Sequence, residues 1–473
     1  MTKALPFFLF LLFAPFFGQT VFGQCSSGIN SQKRILSSSE KIIEGRVTRQ
    51  TSFMNDGGKI FTRNEIEVYR VFKGDSPYTL NVITEGGIFG NLMQIVTPSA
   101  QLQVGDYGVL ALRKDANGSS DFAVSSFMRI NERTNAVSTS ELATNREALY
   151  ETIAKVVGSN IIQLKRVSID VFENRDNTSA DLLPVIDQIG PMEMTAGTKT
   201  VITIQGSGFG DSQGTGAVAF RNADDGGISF IEVAGGPHYL SWSDTEIQMY
   251  VPAASLYNAE VAGSGTIRVA NAGGNTVESE QQIVIDYAKS EVVYSEVLNE
   301  TMLVGMQDGG YVFRMNENMQ TLLGSSQMVE KTMKQWACNS GVNFSLSQDV
   351  TEIADWGYDQ VNVIGMSDSG QMPSYLLGKT ITTFSGCGTA TGLQWNLVEV
   401  DILLNSDIDW WILAQEPPQN KFDLQTTILH ELGHAHLLQH NNNAISPMYF
   451  QLTSGSSRRT LHPISDIEGS SYI

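Results

Sequence analysis

Apolar and polar positions change period along this chain, and the changes mark out its parts. From Ile42 to about Ser126 the pattern is that of strands: Ile66, Val68 and Val71 follow the turn Asn55-Asp56-Gly57-Gly58, and a further apolar run covers Tyr107 to Leu112. A glycine-rich turn between such runs predicts a hairpin. The period then lengthens. Leu142, Leu149, Ile153 and Val156 keep helical spacing, Ser138 and Glu141 form a capping-box pattern before them, and Gly158 suits the helix end. Residues 24–180 therefore read as a β-rich N-terminal domain with one late helix.

The polar stretch Asn174 to Asp181 reads as a linker, and Pro184 opens a block of short strands parted by Gly, Asn and Asp turns. That block is all-β and runs to about residue 287. From Ser290 onward both periods occur. Val329, Met333, Trp336 and Ala337 follow i, i+4, i+7, i+8 on a predicted helix, while Trp395 to Leu404 alternates and then runs apolar like a buried strand. Residues 290–473 are expected to form an α/β or α+β domain. Three units suit 473 residues, because single cores stop growing near about 250–300 residues.

Composition narrows the partners. The net charge of −20 comes without any cluster of five or more Lys and Arg, so the chain has no nucleic-acid or anionic-membrane footprint. Met-Thr-Lys, the apolar run Ala4 to Phe17 and the small-residue end at Gly23 read as a secretory signal peptide over residues 1–23. The run is short for a bilayer core and contains Pro6 and Pro15, so no membrane span is expected in the mature chain, which is placed as secreted or at the cell surface. Of the three cysteines, Cys25 stands alone near the start, and Cys338 and Cys387 are a candidate disulfide. Three cysteines exclude a cysteine-rich zinc cage.

Metal chemistry must then come from histidine. Four of the six histidines fall within His430-Glu431-Leu432-Gly433-His434-Ala435-His436-Leu437-Leu438-Gln439-His440. On a helix, residues four apart share a face, so His430 and His434 can reach one ion, and zinc suits imidazole donors. Glu431 lies on the same turn, where its carboxylate can serve as general base toward an activated water. His436, two residues past His434, faces another side. A catalytic zinc site commonly has three protein ligands and one open position, which makes His440 the candidate third ligand. If the helix instead runs on to Asn441-Asn442-Asn443, a later Asp or Glu takes that place. The lone His238 reads as surface or structural, and Asp407 and Asp409 read as solvated loop carboxylates or candidate ligands of a structural Ca2+.

Two resemblances follow from particular motifs. Pro184-Val185-Ile186, Gly197, Ile202 to Gly210, Trp242-Ser243-Asp244 and Val251-Pro252 resemble the IPT/TIG family, which implies an immunoglobulin-like sandwich over residues 184–287 and a candidate protein or glycan partner. The spacing HExxHxxxxxH followed by Ser446-Pro447-Met448-Tyr449 resembles the metzincin clan, most closely its matrixin-like members, as do Glu399-Val400-Asp401-Ile402, Asp423-Leu424-Gln425 and Ser465 to Gly469. That resemblance implies a metzincin-like catalytic domain, a methionine turn at Met448, a substrate wall near Tyr449, and a zinc metalloendopeptidase acting on proteins or peptides. One position departs from the pattern: Leu437 stands where the clan has glycine. A left-handed Leu437 would cost about 1–2 kcal/mol. The rival expectation is an extracytoplasmic adhesion or scaffold protein whose zinc domain is weak or inactive.

Overall fold

The computed structural model describes residues 22–23, 29–114, 121–132, 135–138, 142, 145–158, 161–165, 183–233, 235–253, 261–304, 310–389 and 392–471. The first 21 residues, Cys25, Glu141 and the stretch 174–181 lie outside them, and with them most of the expected signal peptide and the linker.

In the N-terminal unit the hairpin Lys41–Met54 and Ile60–Lys73 turns at residues 55–58, where the Asn55 side chain accepts from the amides of Gly57 and Lys59. Tyr107–Lys114 pairs with Lys41–Met54, Phe122–Ile130 with Tyr107–Lys114, and Thr79–Glu85 with both Phe122–Ile130 and Ile60–Lys73. Five strands therefore close into a ring. The late helix spans Arg146–Val157 and buries Leu149 and Ile153. Its cap is Asn145, whose side chain accepts from the Ala148 amide at 2.9 Å, and not Ser138, which lies in a strand. Asn145 wins because it sits three residues before an amide that has no partner inside the helix.

Residues 185–288 form two four-stranded sheets face to face. One runs Val185–Gly190, Val201–Ser207, Glu246–Tyr250, Tyr239–Trp242; the other runs Phe230–Val233, Ala217–Asn222, Ala262–Ala270, Thr276–Glu278. Inward alternation makes the core: Ile202, Ile204, Val218, Phe220, Ile247, Met249, Ile267 and Val269 are all fully buried. His238 is buried with them rather than at the surface, its Nε2 lying 2.9 Å from Glu291 Oε1.

The C-terminal unit is built on a mixed sheet. In order across it stand Phe344–Thr351, Tyr311–Asn316, Asn362–Met366, Gly392–Leu404 and Gly378–Thr389, the last antiparallel to its neighbour and the others parallel. The edge beyond Gly378–Thr389 is filled from far away in the chain. Leu92–Thr97 pairs with it antiparallel, Thr97 opposite Thr380 and Leu92 opposite Ser385, and Gly87–Phe89 completes the hairpin. A boundary at residue 180 thus does not separate two independent sheets.

Two helices cover one side of this sheet. Ser325–Ser340 buries Val329, Met333 and Trp336, and Leu424–Ala435 is buried at every residue. Such a helix belongs in the middle of a core. Its N-cap, Asp423, accepts from the Thr426 amide at 2.9 Å and is held in turn by Arg459. Among the described residues no helix is long and apolar enough to cross a membrane.

The expected disulfide does not form. Cys338 and Cys387 are both free and exposed, one near the end of the helix Ser325–Ser340 and the other in the outer half of the strand Gly378–Thr389.

Candidate metal centre

The buried helix Leu424–Ala435 ends just after His434, and the way it ends decides the site. The His436 amide still bonds back to the Leu432 carbonyl at 3.0 Å, but Leu437 turns left-handed with φ 65°, and the Leu438 amide returns to the Gly433 carbonyl at 3.1 Å. A non-glycine residue there carries the strain expected of it. The chain reverses, and His440 comes back over the helix.

The turn is tied down from outside. The Ser290 amide donates to the Leu437 carbonyl at 2.8 Å, the Gln439 amide donates to the Ala288 carbonyl at 2.8 Å, and Asn442 exchanges two hydrogen bonds with the backbone of Ser264. These partners belong to the sandwich and to the segment leaving it. Leu437 itself points into the C-terminal core and is 1% exposed.

His430, His434 and His440 converge, with one donor atom from each within 4.8 Å of the others. His430 Nε2 lies 3.1 Å from His434 Nε2 and 3.3 Å from His440 Nε2. Each remaining ring nitrogen has a fixed acceptor: Nδ1 of His430 faces the Pro447 carbonyl at 2.8 Å, that of His434 the Leu438 carbonyl at 2.8 Å, and that of His440 an Asp224 carboxylate oxygen at 2.7 Å. A carbonyl oxygen only accepts, so the proton of His430 and of His434 sits on Nδ1 and the Nε2 lone pair is left facing inward.

Burial, then the two neighbouring imidazoles, holds His430 well below the usual histidine range, and burial followed by His440 pushes His434 down to about 3. With their Nδ1 atoms engaged by carbonyls, His430 and His434 turn Nε2 inward as donors suited to a cation, and His440 Nε2 joins them. Tetrahedral zinc with Zn–N near 2.0–2.1 Å needs donor separations of about 3.3 Å. The residues fit that ion.

Glu431 is 2% exposed and directed toward the strand Gly378–Thr389. Thr380 Oγ1 donates to Glu431 Oε2 at 2.6 Å, and an added Cβ at Gly378 would stand 2.4 Å from Glu431 Oε1. The strand is therefore cut close to fit the carboxylate. Burial pushes the Glu431 carboxyl up to about 8, against the Thr380 hydroxyl, which favours the charged form.

Met448 is fully buried beneath the helix, where a Cβ at Gly433 would fall 2.1 Å from its Sδ. Its turn is held by Ser446, whose hydroxyl donates to the buried Asp466 at 2.6 Å and accepts from the Met448 amide at 2.9 Å. Tyr449 follows, packed against Phe450 and approached by Gly226 of the sandwich.

His436 lies apart from the three. Its ring stacks on Trp336 at 4.6 Å, its Nδ1 faces the Leu432 carbonyl at 2.6 Å, and burial pushes it down to about 4. Asp407 and Asp409 each have a partner of their own. Asp407 accepts from Ser369 Oγ and the Gly370 amide, and Asp409 pairs with Lys421 Nζ at 2.9 Å.

Several site groups were missed by sequence reasoning. Thr380 and Gly378 carry no motif, the motifs that contain Pro447 and Leu438 do not announce the work of their carbonyls, and Asp224 lies 216 residues before its partner. Only the dense turn Asn222-Ala223-Asp224-Asp225-Gly226-Gly227 offered a signal, and it reads simply as a turn.

Comparison with known proteins bears on the domain beside this centre. The IPT/TIG domain family matches residues 184–285. A cyclomaltodextrin glucanotransferase of Niallia circulans is 36% identical over 100 residues, which are 20% of this chain and 11% of that protein. One from Bacillus sp. (strain 1011) is 26% identical over 182 residues, 37% of this chain and 20% of that protein. The chain spans only a small part of either relative.

These findings correct the enzyme class expected from the HExxHxxxxxH spacing. The relatives are glucanotransferases, neither they nor the matched family is a metalloprotease, and the assignment as a metzincin-like zinc metalloendopeptidase is not upheld. A short spacing motif specifies ligand geometry, not the bond that is cleaved. The chain is a multidomain, strongly β-rich protein that contains an IPT/TIG domain over residues 184–285.

Proposed function

We propose that residues 290–473 form a metzincin-like fold carrying a zinc-dependent hydrolytic centre that works outside the cytoplasm on carbonyl substrates. One observation carries the reading: three imidazole rings meet in a buried cluster, and the residue next to the first of them, Glu431, carries a carboxylate that a neighbouring strand holds in place. His430, His434 and His440 would hold the ion. Bound zinc supplies Lewis acidity, which polarises a carbonyl and brings the pKa of water toward about 7.

The chain's own groups do the rest. Glu431 takes a proton from the attacking water and passes it to the leaving group. Thr380 fixes the rotamer of Glu431, and the Pro447 and Leu438 carbonyls fix two of the rings, so that the donors are preorganised rather than collected on binding. Met448 fills the space under the helix and leaves the site floor rigid. The IPT/TIG domain offers the surface for a protein or glycan partner.

A second reading, an extracytoplasmic adhesion or scaffold protein with a silent metal site, is favoured by the match to the IPT/TIG family alone. Both are decided by measuring zinc per chain by mass spectrometry, together with turnover of an unfolded polypeptide, a simple carboxylic ester and cyclomaltodextrin, for wild type and Glu431→Gln. The hydrolase reading expects close to one zinc in both proteins and turnover of the polypeptide or ester in the wild type only. Zinc-loaded wild type inert toward all three substrates supports the scaffold, and turnover of cyclomaltodextrin that survives Glu431→Gln places the chemistry elsewhere.

A further inference from the structure

We infer that the sandwich domain is part of the metal centre: its Asp224 is a positioning residue that fixes the ring of His440. The inference rests on the reading that His430, His434 and His440 hold zinc.

Two of the three rings are oriented by carbonyls of their own unit, Pro447 for His430 and Leu438 for His434. The third is not. His440 Nδ1 has Asp224 Oδ1 at 2.7 Å, and the side chain of His440 is 4% exposed while that of Asp224 is 29% exposed. An acceptor on Nδ1 holds the proton there and presents the Nε2 lone pair to the cluster, and a carboxylate does this more strongly than a carbonyl.

The loop that carries Asp224 is built to hold it still. Asn222 caps the short helical turn Ala223–Asp225 by accepting from the Asp224 amide at 2.9 Å. Asp225 points the other way, is 1% exposed, and accepts from the amides of Gly227, Ile228 and Ser229. Gly226 has φ 76° and approaches Tyr449 so closely that a Cβ would stand 2.8 Å from its hydroxyl. The two consecutive aspartates therefore divide the work: one organises the loop, the other reaches across.

The surrounding contacts place the ring within that reach. The chain around the third histidine is held at Leu437 by Ser290, at Gln439 by Ala288 and, beyond His440, at Asn442 by Ser264, all on the sandwich or its exit. Third ligand and sandwich are thus one assembly, and the affinity of the C-terminal unit for its ion depends on a residue more than two hundred positions upstream.

The test is zinc affinity by chelator competition, with the visible spectrum of the cobalt-substituted protein, for full-length wild type, Asp224→Ala, Asp224→Asn and Asn442→Ala. Asn442→Ala cuts two tethers to the sandwich but leaves the carboxylate. Asp224→Ala is expected to weaken zinc by about 10- to 100-fold and to alter the cobalt spectrum. Asp224→Asn, which keeps an acceptor oxygen, is expected to recover most of both, and Asn442→Ala to bind within about threefold of wild type. Asp224→Ala binding zinc as wild type does, or Asn442→Ala losing as much as Asp224→Ala, overturns the inference while leaving the three-histidine site intact. Wild type that binds no zinc overturns the site itself. Should the alanine variant not fold, Asp224→Asn carries the test, since unaltered affinity and spectrum support the acceptor role and a tenfold loss overturns it.

Discussion

Replacing Leu437 by glycine separates two energies that act on one residue in opposite directions. The residue sits at φ 65°, where a side chain costs about 1–2 kcal/mol. The same side chain is 1% exposed in the C-terminal core, where truncating a leucine costs about 2–5 kcal/mol. Packing wins, so Leu437→Gly should destabilise the C-terminal unit by roughly 2 kcal/mol. Leu437→Ala keeps the strain and loses the packing, and should be the weaker of the two by about 1–2 kcal/mol.

Urea unfolding followed by tryptophan fluorescence reads this unit selectively, because five of the six tryptophans lie beyond residue 290. The expected order of midpoints is wild type, then glycine, then alanine. A glycine variant as stable as wild type would refute the idea that packing holds the turn. An alanine variant at least as stable as glycine would refute the backbone strain.

Other substitutions probe the floor and wall of the site. Gly433→Ala drives a methyl into Met448, whose sulfur would be 2.1 Å away, and should cost about 1–3 kcal/mol on thermal melting; an unchanged melting temperature would mean that Met448 is free to move. Gly378→Ala meets the Glu431 carboxylate and should leave zinc content intact while lowering turnover about 100-fold, checked by metal analysis beside the rate.

A pH effect is expected on the strand Gly392–Leu404, at Glu399 and Asp401. Burial first and Asp359 second push Glu399 up to about 7, and burial followed by Glu399 holds Asp401 well above the usual carboxylate range. Between the ordinary glutamate value of 4.5 and about 7 the folded state keeps a proton that the unfolded state has released, so stability falls as pH rises through that window. Melting temperatures across it should fall less steeply in Glu399→Gln; an equal slope would remove Glu399 as the cause.

The site helix was legible because its signal is local: His430 and His434 share a face at any helical geometry, and Trp336 and Val329 mark the helix that packs on it. The departure at Leu437 was legible too, though only the structure shows how it resolves, by a left-handed turn with the side chain buried. What failed was non-local. Asp224 reaches His440 through an arrangement of domains, and no periodicity encodes that. The same holds for Leu92–Thr97, whose pattern says strand but not which sheet. Ser138 lost to Asn145 because several polar residues can cap and the first unpaired amides of the helix choose among them. The cysteines share the C-terminal third, yet one ends up on a helix and the other on a strand, with no bond between them.

The hairpin that closes the C-terminal sheet also sets a timetable for the chain's birth. Leu92–Thr97 leaves the ribosome nearly three hundred residues ahead of the strand Gly378–Thr389 that it joins. At ordinary synthesis speeds that is a wait of roughly 15–60 s with one ribbon edge unsatisfied. During that interval the early edge is open to pairing with another nascent chain. A gene cut in front of residue 290 would make the exposure permanent in both products, each carrying half of a seam that neither can close.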